Sequence, residues 1–212
     1  MGGVKKSTEE LLDKYRGKYP FVTALEPAIR QAVGMLENSY SSGGKLLVCG
    51  NGGSNADADH IVGELVKSFR IYRPLDRDTR AAFGSSPLAE KLEGGLPTIN
   101  LGAHTSLVTA LMNDVGSDYI FAQQVVGYGR PGDVLLGIST SGNSTNVLFA
   151  GEAAKAKGMG TIALTGHDGG KMRDSFDLAL CVDARETEDV QDLHSTIYHI
   201  ICAALECQFW GE

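Results

Sequence analysis

Apolar residues along this chain follow two rhythms. Short runs rich in branched side chains, at residues 45–49, 98–101, 134–139, 160–165 and 178–182, are bounded by turn residues and read as buried strands. The stretches between them are long enough for helices, and the alternation predicts an α/β domain with a parallel sheet and helices on both faces. Ahead of the first strand, Ser7 and Glu10 form a capping-box pattern before Leu11 and Leu12. A second helix is predicted over 21–39, weakened in its middle by Pro27, with Leu25, Ile29, Val33 and Leu36 on one face. That face needs cover, either from the domain's own sheet or from a partner chain. A turn-rich break at 41–44 separates this N-terminal helical segment, residues 1–44, from the domain proper, residues 45–212. The last helix, 188–208, has an apolar face of Leu193, Ile197, Ile200 and Ile201. Gln191, Ser195 and His199 form a separate polar stripe on it, with His194 and Tyr198 nearby.

The most informative junction is LLVCGNGGSNADADHIVGE, residues 46–64. An apolar run meets Gly50, Asn51, Gly52 and Gly53 and passes into a helix, with Ser54 or Asn55 as expected N-cap. Free N–H groups at such a helix start favour an anion, and glycines let it approach the backbone. The pattern is not a dinucleotide fingerprint, because the third glycine position of G-x-G-x-x-G holds Asn55. His60 and Glu64 lie four residues apart and therefore on one helical face.

A second loop, DVLLGISTSGNS, ends a buried strand with Ser139, Thr140, Ser141 and Ser144; Gly142 permits the turn and Asn146 starts a helix. Four hydroxyls beside a helix start make a neutral anion cradle. In parallel sheets, ligands bind beyond the carboxyl ends of the strands, where the loops around Gly50, Ser139 and Gly166 would gather. Asn113 and Asp114 end a helix ahead of Gly116 and are candidates for sugar-hydroxyl contacts. His60 and Glu64 on one helix with Gln191 and His199 on another make the ligand inventory of a four-coordinate metal site. Glutamine is a weak ligand, so a loosely held ion is expected.

Composition narrows the partners. A net charge of −7 disfavours non-specific binding to nucleic acid or an anionic membrane, so any phosphate must be held by local geometry. Cys49, Cys181, Cys202 and Cys207 have no C-x-x-C spacing, and buried thiols in a reducing cytosol are expected. The start, MGGVKK, has no apolar leader and no Ser or Thr for myristoylation, and nowhere do 18 apolar residues run together. The expectation is a soluble cytoplasmic protein.

Five motifs together carry a resemblance: CGNGGS with H-x-x-x-E behind it, the ND at 113–114, STSGNS, TGHDGG and VQDLHSTIYH. The chain closely resembles the phosphoheptose isomerases among the sugar isomerase (SIS) domain proteins, from about Leu46 to Leu205. The resemblance implies a flavodoxin-like three-layer sandwich with a five-stranded parallel sheet. It also implies a homotetramer with N-terminal helices at subunit contacts and active sites at subunit interfaces. It implies one zinc per subunit on His60, Glu64, Gln191 and His199. Substrate contacts would come from Asn51, Gly52, Gly53, Ser54, Glu64, Asn113, Asp114, Ser139, Thr140, Ser141, Ser144 and Gln191. The implied reaction interconverts sedoheptulose 7-phosphate and D-glycero-D-manno-heptose 7-phosphate, with Glu64 as base and His199 as acid or second proton shuttle. Another ketose phosphate is an alternative substrate. The family's non-catalytic tetrameric relatives, adaptors for a bacterial replication initiator, lack the acid/base pair, whereas Glu64 and His199 are present here.

One stretch departs from that family, in which the link after the His60 helix is much shorter. Residues 69–97 contain Arg73, Arg77 and Arg80, available to an anionic ligand or to pairing with Asp76 and Asp78.

Overall fold

Five strands, β1 (Leu46–Gly50), β2 (Thr98–Asn100), β3 (Val134–Ser139), β4 (Gly160–Thr165) and β5 (Leu178–Cys181), form one parallel sheet in the order β2-β1-β3-β4-β5. β3 and β4 match the expected spans; the other three differ by a residue at their ends. The computed structural model describes residues 5–212; residues 1–4 of the MGGVKK segment lie outside the described residues.

Alternate residues of each strand point to opposite faces, and this builds two cores from one sheet. Leu46 and Val48 of β1 pack with α1 (Lys6–Lys18), α2 (Val22–Ser41), α3 (Gly53–Val66) and α10 (Thr187–Trp210). Leu47 and Cys49 pack with α7 (Ile120–Tyr128), α8 (Thr145–Ala156) and α9 (Met172–Ser175) on the other side. The result is the three-layer α/β sandwich expected. Within the long connection lie α4 (Arg77–Ala82) and α5 (Leu88–Lys91), and α6 (Thr105–Asp114) follows β2. The face of α2 receives its cover from the chain itself: Ile29, Val33 and Leu36 are buried in the first core, with Leu25 partly buried against it. That packing carries the helix through Pro27 to Ser41.

The capping box is not formed. Lys5 is the N-cap of α1, Ser7 lies inside the first turn, and no side chain of the cap residue serves the helix. Gln208 of α10 does that work from across the core, its Oε1 accepting from Lys5 N at 2.9 Å and Thr8 Oγ1 at 2.8 Å. A tertiary acceptor has replaced the local one.

The long connection is anchored by a charge that the sequence left open to ligand. Arg73 is fully buried, its Nε 2.9 Å from Glu206 Oε1 on α10 and its guanidinium stacked over Trp210 at 4.9 Å. Its Nη1 and Nη2 donate to the carbonyls of Leu65 (2.6 Å) and Glu64 (2.7 Å), closing the C-terminal turn of α3. Glu206 also accepts from the N–H groups of Phe69 (2.9 Å) and Arg70 (2.8 Å). Arg73 is thus unavailable to a ligand. Arg80 pairs with Glu90 at 2.6 Å, and Asp76 caps α4 by accepting from the N–H groups of Asp78 and Thr79.

Breaking a buried pair leaves an uncompensated charge, at a cost of about 3–5 kcal/mol. Glu206→Gln, which keeps the shape and removes the charge, is expected to lower unfolding stability by about that amount. Urea denaturation measures it, and a loss below about 1 kcal/mol would show that the pair does not anchor the connection.

Candidate active site

The strand order reverses at β1, which has β2 on one side and β3 on the other, so the loops after β1 and β3 splay apart above the sheet and leave a crevice. The β1 loop enters α3 directly. Gly52, with φ +56°, is the N-cap, so Ser54 and Asn55 fall inside the first turn and not at the cap as the sequence suggested. Only a residue tolerant of positive φ makes so sharp an entry. Ser54 is buried against Gly50. Asn51 forms a reciprocal amide pair with Asn146 of α8, at 2.9 and 3.0 Å, clasping the two loops.

The β3 loop is a hydroxyl cluster. Ser139 Oγ lies 2.9 Å from Ser144 Oγ and 3.5 Å from Ser141 Oγ, and Ser141 Oγ accepts from Asn143 N at 3.2 Å. Ser144 is the N-cap of α8 without a side-chain capping bond, and the helix starts at Thr145, one residue before the expected Asn146. The hydroxyls bond to one another and are not consumed by the helix. Gly142, at φ +62°, touches the Gly169–Gly170 backbone so closely that a Cβ would overlap it. Thr140 O accepts from Gly166 N at 3.0 Å, and Asn143 Oδ1 from Lys171 N at 3.1 Å. The loops around Gly50, Ser139 and Gly166 therefore gather as expected.

Two helix faces supply the reactive groups. His60 Nε2 stands 3.1 Å from Glu64 Oε1 and 3.3 Å from His199 Nε2, and ligand atoms of these three residues lie within 4.8 Å of one another. The contact joins one turn of α3 to α10. Phe69 stacks on the His199 ring with centroids 5.6 Å apart. Burial, reinforced by the neighbouring His60, pushes the His199 imidazole below its ordinary value, while Glu64 offsets part of this. The Glu64 side chain is 12% exposed. The Gln191 amide is pressed against Gly53, so that any Cβ there would overlap it. Gly53 and His60 are seven residues apart on α3, or about 10 Å. Asn113 and Asp114 hydrogen-bond to each other at 2.7 Å on an exposed end of α6. No hydrogen bond among the described residues joins them to the β1 or β3 loops.

Three mutually facing atoms, each with an electron pair to donate, suit a cation, and two imidazoles with a carboxylate suit zinc. The SIS domain family profile matches residues 19–99 and 93–166. A phosphoheptose isomerase from Geobacter sp. (strain M21) is 43% identical over 202 residues, covering 93% of this chain and 95% of the relative. One from Citrifermentans bemidjiense is 46% identical over 182 residues, covering 86% and 84%. The chain belongs to the phosphoheptose isomerase family. Among solved structures, phosphoheptose isomerase GmhA from Neisseria gonorrhoeae superimposes with a TM-score of 0.73 at 36% identity, covering 90% of this chain and 91% of that one. A phosphoheptose isomerase from Francisella tularensis gives 0.75 at 32% identity, covering 97% and 98%.

Sequence reasoning missed Asn146, whose amide pairs with Asn51, and left His194 unassigned. His194 sits on α10 with no exposure, and neither ring nitrogen has a hydrogen-bond partner among the described residues. Burial pushes its pKa down to about 4, a contact with the Thr165 backbone offsetting part of the effect. The folded state therefore binds fewer protons than the unfolded state between about pH 6.5 and 4. Its contribution is intact above pH 6.5 and is lost as pH falls through 4, a term on the order of 3 kcal/mol. Wild-type stability is expected to fall more steeply than that of His194→Gln across this window, measured by urea unfolding at a series of pH values. Parallel slopes would mean that the buried imidazole does not control acid sensitivity.

Proposed function

We propose that this phosphosugar isomerase interconverts sedoheptulose 7-phosphate and D-glycero-D-manno-heptose 7-phosphate through an enediol. The observation that carries the reading is the Glu64 carboxylate, on the helix whose start forms part of a neutral anion cradle, meeting the imidazoles of His60 on that helix and His199 on α10. A heptose 7-phosphate has its phosphate and reacting carbons at opposite ends of a seven-carbon chain. The cradle at Gly53 and the base at Glu64 are separated by about three helical turns of α3. Phosphate binds at the Gly52 and Gly53 N–H groups, beside Ser54, whose own N–H donates to Asn51 O at 3.1 Å, and at the hydroxyls of Ser139, Thr140, Ser141 and Ser144. Asn51, Asn113, Asp114 and Gln191 contact the sugar.

From ketose to aldose, Glu64 takes a proton from C1 and the C1–H electrons form the C1=C2 bond as the C2 carbonyl becomes a hydroxyl. A proton is then returned to C2 while the O1 proton leaves, giving the C1 carbonyl. His199, held neutral by burial, relays protons at the oxygens or serves as the second shuttle. His60, Glu64, Gln191 and His199 would hold one zinc, and the ion would supply Lewis-acid stabilisation of developing oxygen charge. A carboxylate tightly bound to zinc would be a poor base, so Glu64 would have to leave the ion or share it loosely during turnover.

The same reading makes the chain a homotetramer. Met112, Val115, Tyr119 and Val126 near α6 and α7, with Val66, Tyr72, Leu88 and Leu92 around the connection, expose large apolar side chains. Such surface is commonly covered by protein. Asn113 and Asp114 lie beside this surface, which supports active sites shared between subunits. Among the described residues no helix is long and apolar enough to cross a membrane. Cys49, Cys202 and Cys207 are buried free thiols, and Cys181, expected buried, is a partly exposed one; all four being free is in keeping with a reducing, cytoplasmic compartment.

Proton NMR in deuterated water with sedoheptulose 7-phosphate, with zinc or with chelator, is expected to show new aldose signals and deuterium at C2. Silence with this sugar would refute the substrate assignment. Glu64→Gln is expected to lower turnover by at least about 100-fold while retaining sugar binding; near-normal turnover would remove Glu64 as base. Ser141→Ala with Ser144→Ala should weaken phosphosugar binding by about tenfold or more, since hydrogen bonds to a charged group contribute about 1.5–3 kcal/mol each. Unchanged affinity by calorimetry would place the phosphate elsewhere.

A further inference from the structure

We propose that Tyr198, backed by Asp57, is a positioning residue that aims His60 Nε2 at Glu64 and His199. Tyr198 lies on α10 immediately before His199 and is 3% exposed. Its hydroxyl is 3.3 Å from Asp57 Oδ1 and 3.1 Å from His60 Nδ1. A phenol has one proton to give, and an ionised carboxylate can only accept. Were that proton given to His60, the phenol and carboxylate oxygens would face each other with none between them. Donation to Asp57 leaves the Tyr198 oxygen as acceptor for His60 Nδ1–H. Nε2 is then the position left open for a proton or a cation shared with Glu64 Oε1 and His199 Nε2, the atoms it meets. The other carboxylate oxygen, Asp57 Oδ2, is buried without a partner, so among the described residues the Tyr198 hydroxyl is the donor available to this carboxylate. A hydrogen bond on the far nitrogen fixes the tautomer and orientation of a metal-binding imidazole.

This role rests on the reading of His60 as a metal ligand, and its test separates the two. Metal-stripped full-length wild type, Tyr198→Phe, Asp57→Asn and the double variant would be titrated with Co(II), followed by its visible absorption. Imidazole ¹⁵N NMR would report the His60 tautomer. Wild type is expected to carry the proton on Nδ1, and Tyr198→Phe to lose that bias and bind Co(II) about 10–100-fold more weakly while melting close to wild type. The double variant should bind no more weakly than the more impaired single variant, because the two residues form one chain. Wild-type Co(II) affinity in Tyr198→Phe, or an unchanged tautomer ratio, would overturn the proposal. If wild type binds no Co(II), the metal reading fails by itself. In that case a wild-type Nδ1–H bias lost in Tyr198→Phe still upholds the positioning role, and equal ratios overturn it.

Discussion

The buried contact between Arg73 and Glu206 ties together the three segments from which the reactive cluster is built. Arg73 closes the end of α3 just after Glu64, Glu206 belongs to the same helix as His199, and the N–H groups of Phe69 and Arg70 complete the carboxylate's hydrogen bonds. A charge pair in a dry interior is tolerable only when its remaining donors and acceptors are satisfied, and here both partners have additional bonds. Phe69, pinned by this network, is the residue stacked on His199. The relation of α3 to α10, and therefore the meeting of His60 with His199, is maintained from below the site.

Above it, the anion site proposed for this acidic protein uses no cations. The cradle consists of backbone N–H groups at a helix start and hydroxyls that bond to one another, set where the sheet reverses its winding. Neutral donors hold a phosphate by direction and leave the surrounding negative charge in place. Close backbone approach is the condition for this. Gly142 meets Gly169 and Gly170 where no side chain would fit, and Asn51 and Asn146 hold the β1 and β3 loops together.

Much of the site was readable from local spacing. His60 and Glu64 share a face because four residues make about one helical turn, and the serine loop declares itself by excess hydroxyls. Gln191 was read on one stripe with Ser195 and His199 at steps of four, and the structure adds that its amide lies against Gly53. Helix caps were less readable. Ser7 and Ser54 have the right chemistry for a cap, yet Gln208 from α10 and the positive φ of Gly52 define those helix starts.

By itself the sequence determined the five strands, their parallel arrangement and the residue types proposed to meet an anion and a cation, because periodicity and turn chemistry act over a few neighbouring residues. Tertiary structure decided which charges remained available. Arg73, 133 positions from Glu206 in the chain, became a buried anchor, and Tyr198 reached Asp57 and His60 across two helices. Partner choice between distant side chains depends on how helices pack, and no local spacing encodes that packing.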